Sequence, residues 1–323
     1  MKAIQAHAFG GPDQLQLDDV ADPVPGPGEV LIDIKAAGVN PADTYMLGGA
    51  YAIQPDLPYT PGGDAGGIVA AVGDGVAAFK PGDRVATGVA LGFRMQDCYA
   101  EKVVRAETDL VALPDNVSFA QGAALGVPYA TAHYGLFARG GAKAGETVFI
   151  HGASGAVGTA AIQLAKRAGL TVIGSGGSDR GRALILEEGA DHAVDHTAEG
   201  YVEEVRALSN GGPHLILEML ANVNLATDLD LVAKYGRIIV IGNRGEITIN
   251  PRMTMMKELD VRGLALFNAS RAQMEEVMTD LMAGLADGSV RPIIGREMPL
   301  AQAGESHKAV LEPGAYGKIV LVP

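Results

Sequence analysis

Apolar runs fall along this chain in two rhythms. From Met1 to about residue 120 they are short, as in Val30-Leu-Ile-Asp-Ile-Lys and Gly67-Ile-Val-Ala-Ala-Val, and are punctuated by segments such as Pro23-Val-Pro-Gly-Pro-Gly-Glu and Lys80-Pro-Gly-Asp-Arg. That spacing predicts a β-rich domain, in which the Lys80 segment is a turn with no catalytic part. Phe119 to Arg139 is alanine-rich and helical in pattern, with Pro128 expected to interrupt it. From Glu146 the rhythm becomes a regular alternation. Strands are expected at Val148–Ile150, Thr171–Gly174, Ala193–Asp195, Leu215–Met219, Arg237–Ile241 and Val261–Phe267, with helices at 156–168, 179–188, 198–208 and 222–234. Such alternation implies a parallel sheet covered on both faces, and six strands match a dinucleotide-binding sheet. A helix at about 271–287 follows. The closing run, Lys318-Ile-Val-Leu-Val, has no place in a finished six-stranded sheet and is expected to rejoin the first domain. No internal repeat or long linker is visible.

The alternation opens at Glu146-Thr-Val-Phe-Ile-His-Gly-Ala-Ser-Gly-Ala-Val-Gly: strand, glycine turn, then the helix-like Thr159-Ala-Ala-Ile-Gln-Leu-Ala-Lys-Arg. This order lays a diphosphate against free N–H groups at a helix N-terminus. Gly155 and Gly158 fill the last two glycine slots of the usual fingerprint, while Ala153 takes the first, with Gly152 just before it. Gly155 lets the backbone approach the phosphates, and Gly158 lets the helix pack close to the strand. A carboxylate about twenty residues further on normally holds the ribose of NAD. Here that place falls on Gly176, within Gly174-Ser-Gly-Gly-Ser-Asp-Arg-Gly-Arg. Small residues without an acid leave room for a 2′-phosphate, and Ser178, Arg180 and Arg182 offer donors, which points to NADP.

Charge and composition narrow the function classes. The 323 residues suffice for two domains, and a formal charge of −13 argues against nucleic-acid or anionic-membrane surfaces. The single cysteine, Cys98, excludes an internal disulfide framework. Together with an N-terminus lacking a signal-peptide core, it suggests the cytoplasm. The seven histidines show no tight ligand cluster by spacing. Ser154 has no paired His/Asp pattern, so no nucleophilic triad is expected. The methionines of Met253-Thr-Met-Met are expected to be buried or at an interface.

Gly38-Val-Asn-Pro-Ala-Asp, Tyr59-Thr-Pro-Gly-Gly-Asp-Ala-Gly-Gly, His151-Gly-Ala-Ser-Gly-Ala-Val-Gly, Glu218-Met-Leu-Ala-Asn-Val-Asn-Leu and Gly242-Asn-Arg-Gly-Glu-Ile-Thr-Ile-Asn-Pro-Arg carry a resemblance. Together they resemble the medium-chain dehydrogenases/reductases, and within them the zinc-free quinone oxidoreductases of the ζ-crystallin type. The resemblance covers essentially the whole chain. It implies an α/β architecture: a GroES-like β-rich catalytic domain, residues 1–122 and 268–323, split around a Rossmann doubly wound parallel-sheet domain, residues 123–267. Zinc alcohol dehydrogenases resemble the chain too, but carry Cys in the slot of Asn40 and His in that of Gly63. Asparagine and glycine cannot supply a catalytic zinc's ligands.

The implied activity is NADPH-dependent reduction of quinones, with activated C=C bonds (enones, acrylates) as the alternative. Both acceptors delocalise added charge without a metal. Asn40, Tyr45 and Tyr51 match the segment lining the family's cleft, and a phenol there can deliver a proton. Thr131 resembles the residue near the nicotinamide. Matching positions imply cofactor contacts at Ser154, Gly155, Ala156, Val157 and Gly158 for the diphosphate, and at Gly177 and His196 on the adenosine side. On the nicotinamide half they are Asn224, Ile241, Gly242, Asn243, Arg244, Leu264, Ala265 and Leu266. Tyr316 replaces a smaller residue and, facing the cleft, would alter substrate size. Relatives pair through the last Rossmann strand, so a homodimer or homotetramer is expected. Lens-structural and RNA-binding roles known in the family are the non-enzymatic alternative, and the acidic balance argues against RNA.

Overall fold

The computed structural model describes residues 1–87 and 95–323. The first domain contains β1 (Lys2–Ala6), β2 (Leu15–Asp19), β3 (Glu29–Val39), β4 (Asp64–Val72), β5 (Arg84–Ala86), β6 (Lys102–Ala106) and β7 (Val111–Ala112). β3 is its axis. It pairs with β4 on one side and, over Glu29–Asp33, with β6 on the other. A short helix, α1 (Pro41–Leu47), leaves β3 directly. Pro41 takes the first helical position, where a backbone donor is dispensable, and the Asp43 carboxylate accepts from Asn40 N at 2.9 Å.

The segment expected to be one helix broken at Pro128 is arranged differently. Helix α2 (Phe119–Gly122) is capped by Ser118 and Gln121, whose side chains bond each other's backbone N–H. The interruption comes at 123–125, and Pro128 sits in the first turn of α3 (Gly126–His133), where its missing donor costs nothing. The helix then widens over Tyr134–Arg139, with Gly140 N donating to Gly135 O.

The second unit alternates β8 (Thr147–Ile150), α4 (Ala156–Arg167), β9 (Thr171–Ser175), α5 (Asp179–Glu187), β10 (His192–Val194), α6 (Tyr201–Leu208), β11 (Leu215–Glu218), α7 (Ala221–Leu231) and β12 (Arg237–Val240). Then come α8 (Arg252–Lys257) and β13 (Asp260–Gly263). The six strands form one parallel sheet in the order β10-β9-β8-β11-β12-β13, the doubly wound arrangement. Successive residues point to opposite faces. Val148, Ile150, Val172, Leu215, Leu217 and Ile239 enter the core beneath α3 and α4, while Phe149, Ile173, Ile216 and Ile238 enter the other. The expected strand Val261–Phe267 ends at Gly263. Leu266–Asn268 form a single turn, and Leu264 and Leu266 fold into the core instead of extending the sheet edge. Met255 and Met256 are exposed beside that edge rather than buried.

After α9 (Arg271–Asp287), the chain returns through β14 (Ile294–Pro299), α10 (Ala303–Ala309) and β15 (Lys318–Val322). β15 pairs antiparallel with Ala37–Val39 of β3, the half that β6 leaves open. Lys318 heads this strand and is buried, so its ammonium needs partners. It donates to Asn40 Oδ1 and, at 3.4 Å, to Asp64 Oδ2, while Asn40 Nδ2 donates to the same Asp64 oxygen at 2.9 Å. Asp64 Oδ1 accepts from Val127 N, in the first turn of α3, at 3.0 Å. β15, the β3–α1 corner, β4 and α3 thus meet on one ion pair. Burial pushes Lys318 down and Asp64 up, and each charge pulls the other back.

Lys318→Met leaves Asp64 buried without its cation and should cost about 3–5 kcal/mol, whereas adding Asp64→Asn should recover much of that loss. Urea unfolding of both single variants and the double variant reads the coupling; additive losses would refute it. His307, on α10, is fully buried with neither ring nitrogen hydrogen-bonded among the described residues, and burial pushes it down to about 4. Its folded value lies below the unfolded one, so its contribution is present above about pH 6.5 and lost as the pH falls through about 4. Between pH 7 and pH 5 the wild type should lose about 2 kcal/mol more than His307→Leu, read by urea midpoints at each pH.

Candidate active site

Asn40, Tyr45 and Tyr51 come from the β3–α1 corner and the loop after it. Asn40 is buried, its Oδ1 taken by Lys318 and one amide hydrogen by Asp64. The second amide hydrogen has no partner among the described residues. Tyr51 packs against the apolar group Ala6, Met46, Leu47, Tyr59 and Met95, and meets Phe267 of the other unit edge-on at 6.1 Å. Burial, then the nearby Asp43 charge, raise its phenol above the ordinary range, so it stays a proton donor. Tyr45 also reaches across: its hydroxyl accepts from Arg244 Nε at 3.3 Å, and Arg244 Nη1 donates to Leu311 O at 3.1 Å. Thr131 lies buried in α3.

Sequence reasoning misses the layer behind these residues. Asp43 Oδ2 accepts from Tyr99 Oη at 2.9 Å, and burial raises Asp43 to about 7 against the pull of Asn40 N, Lys318 and Tyr99. Tyr59 Oη is buried without a partner among the described residues, and burial raises it well above the ordinary phenol range. Asp64 lies within a motif that carries the family resemblance, but nothing in that motif marks it as an ion-pair partner. Lys318 has the sequence pattern of a solvated strand head.

The glycine turn closes as its sequence predicts for packing. Gly152 has φ 55°, and a Cβ on Gly158 would lie 2.5 Å from Ala153 Cα, so any side chain there would push α4 off the turn. Ala153 in the first slot is matched by Gly174, where a Cβ would meet Ala153 Cβ at 2.8 Å. Ala156, Val157 and Gly158 open α4 after Gly155, and the N–H groups of a first turn have no intrahelical acceptor. Ser154 differs from the simple picture of a phosphate donor: its Oγ donates to Ala315 O at 2.7 Å.

Of the residues expected at the adenosine end, Gly177 lies against the His196 ring, so close that a Cβ on it would stand 3.2 Å from Nε2. Ser178 caps α5 by accepting from Gly181 N at 3.1 Å. No acid ends β9. The two arginines divide. Arg182 is committed to Asp195 at 2.8 Å, to Asp179, and to Gly176 O at 3.1 Å. Arg180 has no carboxylate partner among the described residues, and its guanidinium stacks on the Tyr316 ring, 3.8 Å from the centroid. Tyr316 therefore faces Arg180 in the first turn of α5 rather than the cleft at Asn40, which corrects the expectation that, facing the cleft, it would alter substrate size.

Among the residues expected at the nicotinamide, Asn224 Nδ2 donates to Glu218 Oε1 at 3.1 Å, Arg244 N to Asn222 Oδ1 at 2.9 Å, and Asn243 Nδ2 to Gly245 O at 2.7 Å. Gly242 leaves no space for a side chain, because a Cβ would lie 2.2 Å from Met219 O. Ile241 and Leu264 line the widened helix at Gly135, Ala265 links them to the turn at Leu266, and Leu266 is buried. Behind both turns, His151 Nε2 lies 2.8 Å from Asp228 Oδ1 and 3.2 Å from Glu218 Oε2. These three ligand atoms, from one histidine and two carboxylates, lie close enough together that they could hold a cation, a grouping that the spacing of the histidines does not reveal. Burial raises both carboxyls and lowers His151, so the dry site favours neutral, proton-sharing forms.

A catalytic zinc does not fit the cleft. At the Asn40 slot the structure presents an amide backed by an ammonium, and Gly63 offers only a carbonyl already bonded by Thr87 Oγ1 at 2.9 Å. A cation there would face Lys318. Among the described residues, no helix is long and apolar enough to cross a membrane.

Comparison with known proteins agrees with this architecture. The family model described as alcohol dehydrogenase GroES-like domain matches residues 26–139, and that described as zinc-binding dehydrogenase matches residues 156–284. Human quinone oxidoreductase is 42% identical over all of this chain and 98% of its own length. A solved NAD-dependent alcohol dehydrogenase superposes with a TM-score of 0.92 at 30% identity, covering both chains fully. Escherichia coli quinone oxidoreductase, solved in complex with NADPH, superposes with a TM-score of 0.87 at 28% identity, again covering both chains fully. Identity of this extent along both full lengths places the chain in the quinone oxidoreductase family of the medium-chain dehydrogenases/reductases, with its GroES-like and Rossmann halves.

Proposed function

We propose that this chain is an NADPH-dependent quinone reductase that works without a metal. The cleft carries the reading: its polar centre is the Asn40 amide backed by the Lys318 ammonium, a donor that can meet charge appearing on an acceptor oxygen but cannot act as a strong Lewis acid. Acceptors that spread charge through their own conjugation suit such a site. NADPH supplies the hydride when bound. The first-turn N–H groups of α4 would hold its diphosphate, and Gly177, His196 and Arg180 its adenosine end. Asn224, Ile241 to Arg244, and Leu264 to Leu266 would border the nicotinamide. Phe267 and Tyr51 close the cleft against water, Asn40 orients the acceptor oxygen, and Tyr51 holds the proton that the reduced oxygen takes up. For the cofactor, the lack of an acid after β9 and the charge of Arg180, which no carboxylate neutralises among the described residues, favour NADPH over NADH.

The domain limits we propose are 1–122 with 268–323 for the catalytic half, and 123–267 for the cofactor half. Exposed Val261, Met255 and Met256 at the free edge of the parallel sheet favour a homodimer or homotetramer built through β13. The single free cysteine, buried Cys98, suits the cytoplasm.

Side-by-side oxidation of NADPH and NADH with 9,10-phenanthrenequinone and with an enone tests the reading. Rapid NADPH turnover on the quinone, and little on the enone, is the expected result; enone turnover alone would move the activity to alkene reduction. Tyr51→Phe should lower kcat about 100-fold at unchanged KM for NADPH if the phenol delivers the proton. A raised quinone KM at constant kcat would reduce Tyr51 to a lining residue. Sedimentation at micromolar concentration should show no monomer.

A further inference from the structure

The segment just before β15 lies across the glycine turn. Gly317 N donates to Ser154 O, and Ser154 Oγ donates to Ala315 O, both at 2.7 Å, while Gly155 and Gly317 pair as a parallel bridge. The backbone of Tyr316 is seated on Gly295, where a Cβ would lie 1.6 Å from Tyr316 O. With its main chain fixed on both sides, Tyr316 presents its ring to Arg180, whose guanidinium stands 3.8 Å from the centroid. An exposed arginine ordinarily samples many rotamers and must give them up to bind a phosphate. Here a ring from the catalytic half already stands against the guanidinium, which has no carboxylate partner among the described residues. Arg182 cannot take this part without giving up Asp195 and Asp179.

We propose that Tyr316 is a specificity-determining positioning residue: by stacking on Arg180 it holds that guanidinium ready for the 2′-phosphate of the cofactor. This rests on the NADPH reading above. The stack joins the two halves of the chain, so a cofactor bearing the 2′-phosphate also holds the segment 314–317 down over the glycine turn. NADH, lacking that phosphate, draws nothing from it.

Calorimetric titration of the full-length protein with NADPH, NADH, adenosine 2′,5′-bisphosphate and AMP tests this without relying on turnover. Tyr316→Ala should weaken NADPH and the bisphosphate about 3- to 5-fold, the range of a cation–π contact, and leave NADH and AMP unchanged. Tyr316→Phe keeps the ring and should bind all four like the wild type, which also controls for folding. Arg180→Ala should weaken the phosphorylated ligands on the order of 10- to 100-fold and erase the preference. Equal weakening of all four ligands by Tyr316→Ala, or no weakening at all, overturns the role of Tyr316. If Arg180→Ala spares the NADPH preference, the cofactor reading itself fails; if it erases the preference while Tyr316→Ala does not, only the present inference fails.

Discussion

A buried ammonium has to be paired, and much of this molecule follows from where Lys318 finds its partners. Asn40 ends β3 and Asp64 begins β4, so the lysine can be satisfied only if the last strand crosses back to the first domain. That return fills the half of β3 that β6 leaves open. It also has a consequence one residue upstream. With Lys318 anchored, Gly317 is brought to the backbone of Ser154 and Tyr316 to Arg180. One ion pair therefore closes the split domain, orients the amide at the centre of the cleft and lays the chain's end over the glycine turn.

A second polar group does comparable work inside the parallel sheet. His151 opens the turn after β8, Glu218 ends β11 and Asp228 lies on α7. These flank the point where the strand order reverses, the place at which open sheets bind ligands. Glu218 also accepts from Leu220 N and from Asn224 Nδ2. The glycine turn after β8 and the turn after β11 are thus tied through one buried cluster. Two carboxylates in so dry a place cannot both stay ionised. Burial raises both Glu218 and Asp228 to about 7, so the pair carries fewer than two charges near neutral pH.

The periodic parts of the fold are legible because each satisfies a local rule: apolar triplets for β8, β11 and β12, and glycines where the turn and helix close in. What escapes the sequence depends on partners far away along the chain. Lys318 reads as a solvated strand end until Asn40 and Asp64 are placed beside it. Glu218 reads as the end of an apolar run until His151 arrives. Pro128 reads as a break, yet it sits at the one part of a helix that tolerates it. Val261–Phe267 has the pattern of a long edge strand, but the widened helix at Gly135 offers Leu264 and Leu266 a better burial than the sheet edge does. Arg180 and Arg182 are equivalent in the sequence; only Asp195, from the end of the next strand, separates them.

That separation matters because of the protein's overall charge. At −13 the chain repels an anionic dinucleotide at long range. Screening limits this to about 8 Å at physiological ionic strength, so what decides cofactor choice acts closer in. On the proposed reading, backbone N–H groups at α4 would bind the diphosphate that NADH and NADPH share, and therefore could not discriminate. Discrimination falls to whichever cation is free of internal carboxylates at the adenosine end. Of the two arginines at the start of α5, Arg182 is tied to carboxylates and Arg180, among the described residues, is not. An aromatic partner keeps Arg180 ordered without neutralising it, which a carboxylate could not do.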